Sequence, residues 1–386
     1  MIYVHVPFCR SFCTYCGFYS EVAPKCRKAE DILQQGALME GYAAALEAEI
    51  RTRRDDIDRV FASSDVNTLY IGGGTPSVLP LSVFERLLSA LGRSGFSEFT
   101  VEVNPEDIVE HGPSYVEGLL KLGVNRISMG VQSFDDSTLK WMNRRHSSDQ
   151  ARQAYGILES AGVRNISIDL IFGLPSLTDE QWRKTLDQAL HISPDGVLPK
   201  HISAYQLSVE EGSMLEKLIA RGVCAEALEE ECSRQYDILC DVLRSAGYNH
   251  YEISNFALPG YEARHNSAYW RHVPYVGLGP GAHSFTGKAR QWNIDSLASY
   301  VEAGRQGDFS EVQGGEILRV EQMAIERVML GLRTSDGVPE DILRENCSGK
   351  ALEESLSNGN LIRNEGVVRI PEDRFFISDN IISSII

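Results

Sequence analysis

The sequence predicts an α/β fold built on a parallel sheet or barrel. Two observations carry that expectation. Short apolar runs, each followed by a loop and a stretch with helical spacing, recur six times between Ile2 and Leu207, the order of parallel strands joined by crossover helices. Isolated polar residues (Glu102, Gln132 and Asp169) sit near the ends of these apolar runs, with Thr75 in the loop after the second. An unpartnered buried carboxylate is costly, and the rim at the C-terminal ends of barrel strands is where ligands sit.

The elements follow in order. Ile2–Val6 reads as a short buried strand ending at Pro7, and residues 21–37 as polar and irregular. Helical spacing runs from Leu38 to Arg54, with Leu38, Tyr42, Ala45, Leu46, Glu49 and Ile50 on one side. The second strand is Val66–Ile71, which enters Gly72-Gly73-Gly74-Thr75-Pro76-Ser77; Leu81–Leu91 is a helix, and Phe99–Pro105 the third strand. Ser114–Leu122 is a helix stopped by Gly123. Arg126–Val131 is the fourth strand, Asp149–Ala161 a helix, and Ile166–Phe172 the fifth strand. Thr178–His191 is a helix with Thr178 as N-cap, and His201–Leu207 the sixth strand. Beyond it lie a long helix, Glu226–Ala246, and a glycine-rich turn, Val276–Ser284, read as backbone closing against a barrel mouth. Two amphipathic helices, Val320–Leu332 and Gly349–Ser357, precede a hairpin formed by Leu361–Arg363 and Val367–Ile370. Helices followed by a small hairpin suggest a winged-helix-like module, here with an acidic rather than a basic helix.

The chain has 386 residues, 43% of them apolar, room for one large domain and one or two smaller ones. Against 37 Lys and Arg stand 54 Asp and Glu, a net charge of −17, which argues against nucleic acid and anionic membranes as broad partners. No apolar run reaches the about 18 residues of a transmembrane helix, and no secretory signal is present, so the cytoplasm is the expected location. Peripheral membrane contact stays open. Eight cysteines fit a reducing compartment better than a disulfide framework.

Three of those cysteines, Cys9, Cys13 and Cys16, fall within eight residues just after the first strand. Thiolates suit iron–sulfur clusters or zinc. Three ligands would leave one iron of a four-iron cluster open to a small molecule; Cys26 could instead close the site, or the spacing could be incidental. The Gly72–Pro76 turn matches neither a P-loop nor a dinucleotide fingerprint.

In this order, IYVHVPFCRSFCTYC, YIGGGTPS, VEVNPE, ISMGVQSFD, IDLIFGLP and HNSAYW resemble the radical S-adenosylmethionine (SAM) family of oxygen-independent coproporphyrinogen III dehydrogenase and its HemW haem-chaperone relatives, from residue 2 to about residue 335. The resemblance implies a partial (β/α)6 TIM-type barrel over residues 1–225, an extension carrying H-N-x-x-Y-W over 226–305, and the winged-helix-like α+β domain over 306–386. It implies that Cys9, Cys13 and Cys16 hold a [4Fe-4S] cluster and that Tyr3 lies near it. Gly73, Gly74 and Thr75 would contact the methionine part of SAM, Glu102 its amino group, and Gln132, Arg144 and Asp169 the ribose or carboxylate. Two departures favour the chaperone branch over the dehydrogenase. Phe18 stands where the dehydrogenase pattern has a fourth cysteine, and the chain opens almost directly on the first strand where the dehydrogenase carries a leader. The chaperone branch implies haem, bound through the H-N-x-x-Y-W histidine His265 with His250, His272 and His283 as competitors, together with a haem-acceptor protein and an electron donor for the cluster.

Overall fold

The structure, a computed structural model, describes residues 1–22 and 29–386; Cys26 lies outside them. Six strands form the parallel series: β1 (Ile2–Val6), β2 (Thr68–Gly73), β3 (Glu98–Val103), β4 (Arg126–Gln132), β5 (Ile166–Phe172) and β6 (His201–Gln206). Each pairs with the next in parallel. Three short strands extend the sheet: β7 (Asn249–Glu252), β8 (Asn255–Ala257) and β9 (Val276–Leu278). The spatial order is β9-β1-β2-β3-β4-β5-β6-β8-β7, so the two ends do not pair and the barrel stays open. β8 and β7 run antiparallel at one end, while β9 lies parallel to β1 at the other.

Parallel sheets buried on both faces normally have apolar strands throughout. Here successive side chains divide sharply. Leu69, Ile71, Phe99, Val101, Ile127, Met129, Ile166, Ile168, Leu170 and Ile202 point outward into the shell of helices and are buried. Each such side chain contributes about 1.5–3 kcal/mol. The alternating positions are Thr68 and Tyr70, Glu98, Thr100 and Glu102, Arg126, Ser128 and Gly130, Ser167 and Asp169, then His201 and Ser203. Register sets them side by side: Glu102 beside Ser128, Ser128 beside Ser167, Asp169 beside Ser203. The lumen is therefore polar, unlike the packed apolar interior of a complete eight-stranded barrel.

The helices fall close to expectation where periodicity is strong: Leu81–Leu91, Pro113–Lys121, Ser148–Ser160, Asp179–Leu190 and Glu229–Ser245. Ser147 and Thr178 both cap through their side chains, each with a glutamine three residues on completing a capping box. The first helix differs: it begins at Ala29, not Leu38, and a second helix, Arg54–Ala62, continues after a break at Arg53. Polar residues 29–37 gave no apolar stripe to read. Pro105 opens a helix, Pro105–His111, rather than closing a strand, because proline at a first helical position has no N–H to lose.

A buried ionic knot joins the first helix to the extension. Glu49, fully buried, accepts from Gly279 N and Asn293 Nδ2 at 2.8 Å each and from Tyr300 Oη at 2.6 Å. Arg53 lies 3.4 Å from it and donates to Gly277 O at 2.8 Å. A three-stranded antiparallel sheet packs beside it: β10 (His283–Phe285), β11 (Ala289–Asn293) and β12 (Gln313–Ile317). The C-terminal segment then runs helix Val320–Gly331, strand β13 (Val338–Pro339), helices Glu340–Asn346 and Gly349–Ser357, and the hairpin β14 (Ile362–Asn364) and β15 (Val367–Arg369). Its strands form one sheet, the winged-helix arrangement.

Removing one partner of a buried ion pair leaves an uncompensated charge. Glu49→Ala is therefore expected to lose roughly 3–5 kcal/mol of unfolding free energy, measured by urea denaturation.

Candidate functional site

One cavity of about 600 Å³ occupies the mouth of the barrel and reaches into its lumen. Cys9, Cys13 and Cys16 line it, as do Gly73, Gly74, Thr75, Glu102, Gln132, Arg144 and Asp169. Tyr3 is the exception among the expected residues. It lies to one side, with its hydroxyl 3.0 Å from His5 Nδ1 and its ring 6.1 Å from that of Tyr70.

The cysteine loop is placed by backbone contacts from distant elements. Thr14 N and Oγ1 donate to the carbonyls of Met142 (3.0 Å) and Trp141 (2.8 Å), and Leu215 N donates to Thr14 O at 2.8 Å. Gly74 N and Thr75 N reach Val6 O (2.8 Å) and Phe8 O (2.7 Å), stitching the glycine turn to the start of the loop. A Cβ on Gly74 would meet those two carbonyls at 2.8 and 2.6 Å, and one on Gly73, whose φ is +106°, would strike the His5 ring at 2.5 Å. The third N–H, of Gly73, is taken by Glu102 Oε2 at 3.1 Å. The turn thus offers a ligand no free N–H, the opposite of a phosphate loop.

Beyond the turn the cavity carries charge. Glu102 accepts from Tyr70 Oη at 2.7 Å through its other oxygen. Burial, with Asp169 nearby, pushes its pKa from 4.5 to about 7. Asp169 accepts from Ser128 Oγ at 3.2 and 3.0 Å and from Ser167 Oγ at 3.4 Å; burial raises its pKa too. Arg144 donates to Asn104 Oδ1 at 2.6 Å, Gly130 O at 2.7 Å and Cys13 Sγ at 3.4 Å. Its buried Nε has no partner among the described residues, a donor left for something the cavity would hold. Gln132 sits in the left-handed region, φ +68°, where the β4–β5 register shifts, and this turns its side chain into the cavity.

This donor set fits a zwitterionic nucleoside beside a thiol-bound cluster. Buried carboxylates suit an ammonium and hydroxyls, and the free guanidinium N–H suits a carboxylate. Among the described residues no three His, Cys, Asp or Glu side chains gather about a single metal-ion position. Burial, with the neighbouring Cys13 and Cys9 thiols, pushes the Cys16 thiol up to about 11.

The radical SAM superfamily model matches residues 3–189. The chain is 34% identical to the Heme chaperone HemW of Lactococcus lactis over 87% of this chain and 82% of that one. The chain belongs to the HemW family. It is 32% identical to the Bacillus subtilis Heme chaperone HemW, covering 87% of this chain and 84% of that one. It is 30% identical to the mitochondrial radical S-adenosyl methionine domain-containing protein 1 of Bos taurus, over 87% and 74%. The structure of the radical SAM enzyme coproporphyrinogen III oxidase (HemN) from Escherichia coli superposes with a TM-score of 0.76 at 22% identity, over 99% of this chain and 89% of that one, and so shares the fold. Membership of a radical SAM family implies a [4Fe-4S] cluster and SAM.

The HemW-type H-N-x-x-Y-W segment forms a short helix, Arg264–Trp270, in which His265 is buried. That histidine is 1% exposed; Nδ1 is 2.8 Å from Thr68 Oγ1 and Nε2 3.0 Å from Tyr269 Oη. Burial drops its pKa to about 3. Both ring nitrogens of this expected haem ligand are thus engaged by hydroxyls in this structure. His250 is likewise buried against Phe256 and bound to Tyr236 Oη at 3.2 Å, and His272 is held by Glu326 at 3.0 Å.

Sequence reading missed Tyr70, Asn104, Ser128, His201, Ser203 and Asn266, all of which line the cavity. Four of these lie on the strands at alternate positions, and that period was the signal available.

Since burial raises the folded-state pKa of Glu102, its favourable contribution is complete below about pH 4.5 and is lost as pH rises through 7. In protein without cluster or SAM, Glu102→Gln should be more stable than the parent above pH 7 by roughly 2–3 kcal/mol, the gap closing toward pH 4.5. Urea midpoints across that range check it.

Proposed function

We propose that the protein is a haem chaperone: it carries haem as cargo and passes it to an acceptor protein, on a scaffold that also holds a [4Fe-4S] cluster and SAM. Cys9, Cys13 and Cys16 would hold the cluster, whose open iron supplies a chelating and electron-donating centre fed by an external electron donor. Glu102, held by Tyr70 and Gly73, would accept from the SAM ammonium. Arg144, through its unpartnered Nε, would pair with the SAM carboxylate, and Gln132 and Asp169 would accept from hydroxyls. Thr75, 3.5 Å from Cys9 Sγ and 3.1 Å from Asn104 Nδ2, would orient the cluster side of the site, with Tyr3 supporting it from behind Tyr70.

The observation that carries the chaperone reading is Phe18. It stands 73% exposed at the cavity mouth, where the dehydrogenase pattern supplies another cysteine. The names of the HemW relatives support the same reading. The second reading, oxygen-independent coproporphyrinogen III dehydrogenase, rests on the shared fold and on the depth of the polar lumen.

For the haem iron this reading takes His283. Of the four histidines between residues 249 and 284 it alone makes no side-chain hydrogen bond among the described residues, and it is exposed, stacked 6.1 Å from the Trp292 ring. Neutral imidazole is the commonest protein ligand to haem iron.

After anaerobic reconstitution, haem titration should give a stable Soret shift that His283→Ala weakens about tenfold or more. Incubation with SAM, reductant and coproporphyrinogen III should give no protoporphyrinogen. Absence of haem binding with robust turnover would reverse the assignment.

A further inference from the structure

We propose that the helix Arg264–Trp270 is the floor of the SAM cavity, with Asn266 a ligand-contacting residue and His265 a positioning residue that acts through Tyr70 on Glu102. The proposal rests on the reading of the cavity as a SAM site and extends it to the motif that the chain carries far downstream in sequence.

The helix is fastened to the barrel by a carboxylate. Glu98, at the start of β3, accepts from the backbone N–H groups of both Arg264 and His265 at 2.8 Å. Glu98 and Glu102 lie four residues apart on the same face of one strand. One carboxylate fixes the floor and the other faces the ligand. Between them His265 forms a platform. Thr68 Oγ1 and Tyr269 Oη hold its two nitrogens, and its ring lies 5.2 Å from the ring of Tyr70, tilted 36°. Tyr70 in turn donates to Glu102 Oε1 at 2.7 Å. The rings of His265 and of Tyr3 both pack on Tyr70, and His265 is the nearer, so it helps to hold the Tyr70 hydroxyl on that oxygen. Removing the imidazole leaves a gap beside Tyr70.

Asn266 points the other way. Its side chain lines the same cavity as Tyr70, Ser128, Asp169 and His201 and makes no hydrogen bond among the described residues. A free amide offers one donor pair and one acceptor, which matches a nucleobase edge or a ribose hydroxyl. The motif therefore serves the nucleoside side of the molecule and leaves the haem to another surface.

The test uses the reconstituted full chain with two readouts, SAM affinity by equilibrium dialysis and haem affinity by Soret titration. His265→Ala and Tyr70→Phe should each weaken SAM binding about tenfold, the loss of one hydrogen bond to a charged group. Their double variant should fall little below either single one, because both act through Glu102. Asn266→Ala should weaken SAM several-fold, and haem affinity should be unchanged in all of them. Tyr70→Phe should also move the pH below which SAM affinity falls to higher values, since Glu102 loses a donor to its charged form. The groups facing Glu102 are Tyr70 and the Gly73 N–H from β2, Asp169 from β5, Tyr3 from β1 and Tyr269 from the helix; of these only Asp169 is a second carboxylate. If His265→Ala does not fold, Tyr70→Phe and Asn266→Ala still decide the matter. Parent-like SAM affinity in all the folded variants overturns the proposal, as does loss of the Soret shift in His265→Ala with SAM affinity intact. A parent protein that binds haem but no SAM overturns the cavity reading and this proposal with it.

Discussion

The whole molecule answers to one constraint: two carboxylates, Glu102 and Asp169, are half-buried inside a sheet and line its cavity. Burying an ionisable group without partners costs several kcal/mol. The fold meets that cost with hydroxyls at alternate positions of neighbouring strands. Tyr70 serves Glu102, and Ser128 and Ser167 serve Asp169. Because these partners come from separate strands, the register of β2 through β5 must be exact to the residue. A one-residue slip would send Tyr70 and Ser128 to the apolar face.

The mouth is built on the same economy of position. The cysteine loop has little regular structure, yet its backbone is tied to Met142, Leu215 and the glycine turn. Those ties come from three places far apart in sequence, so the thiols are presented to the cavity only once those parts of the fold have come together. The glycine turn is narrow for the same reason. Val6, Phe8 and His5 press on it from one side and Glu102 from the other, and no side chain fits between. An incomplete barrel makes this workable, since the unpaired ends at β9 and β7 leave the lumen wide enough for polar groups and a ligand.

Part of this was legible in the sequence. The strand–helix alternation gave the parallel series and most helix positions because each strand buries an apolar face under a helix with a clear 3.6-residue stripe, as in Leu81–Leu91. The helix from Ala29 and the one at Pro105 escaped, the first because its leading turns carry no stripe, the second because proline reads equally as a strand end. At the site, Cys9, Cys13, Cys16, the glycine turn, Glu102 and Asp169 stood out as rare residue types in apolar surroundings. Ser128, Ser203 and Tyr70 did not, since a serine or tyrosine in a strand has many ordinary reasons to be there.

The sequence alone determined the chemistry on offer: three thiols at close spacing, carboxylates at strand ends, and a family of ordered motifs. Residue types and local period suffice for that, because both are written along the chain. Which groups meet was decided only in three dimensions. His265 stood in the sequence beside aromatic residues as an expected haem ligand; packing sets its nitrogens against Thr68 and Tyr269 and its ring against Tyr70. A histidine's role depends on which of its two nitrogens remains free, and contacts across nearly two hundred residues of chain decide that.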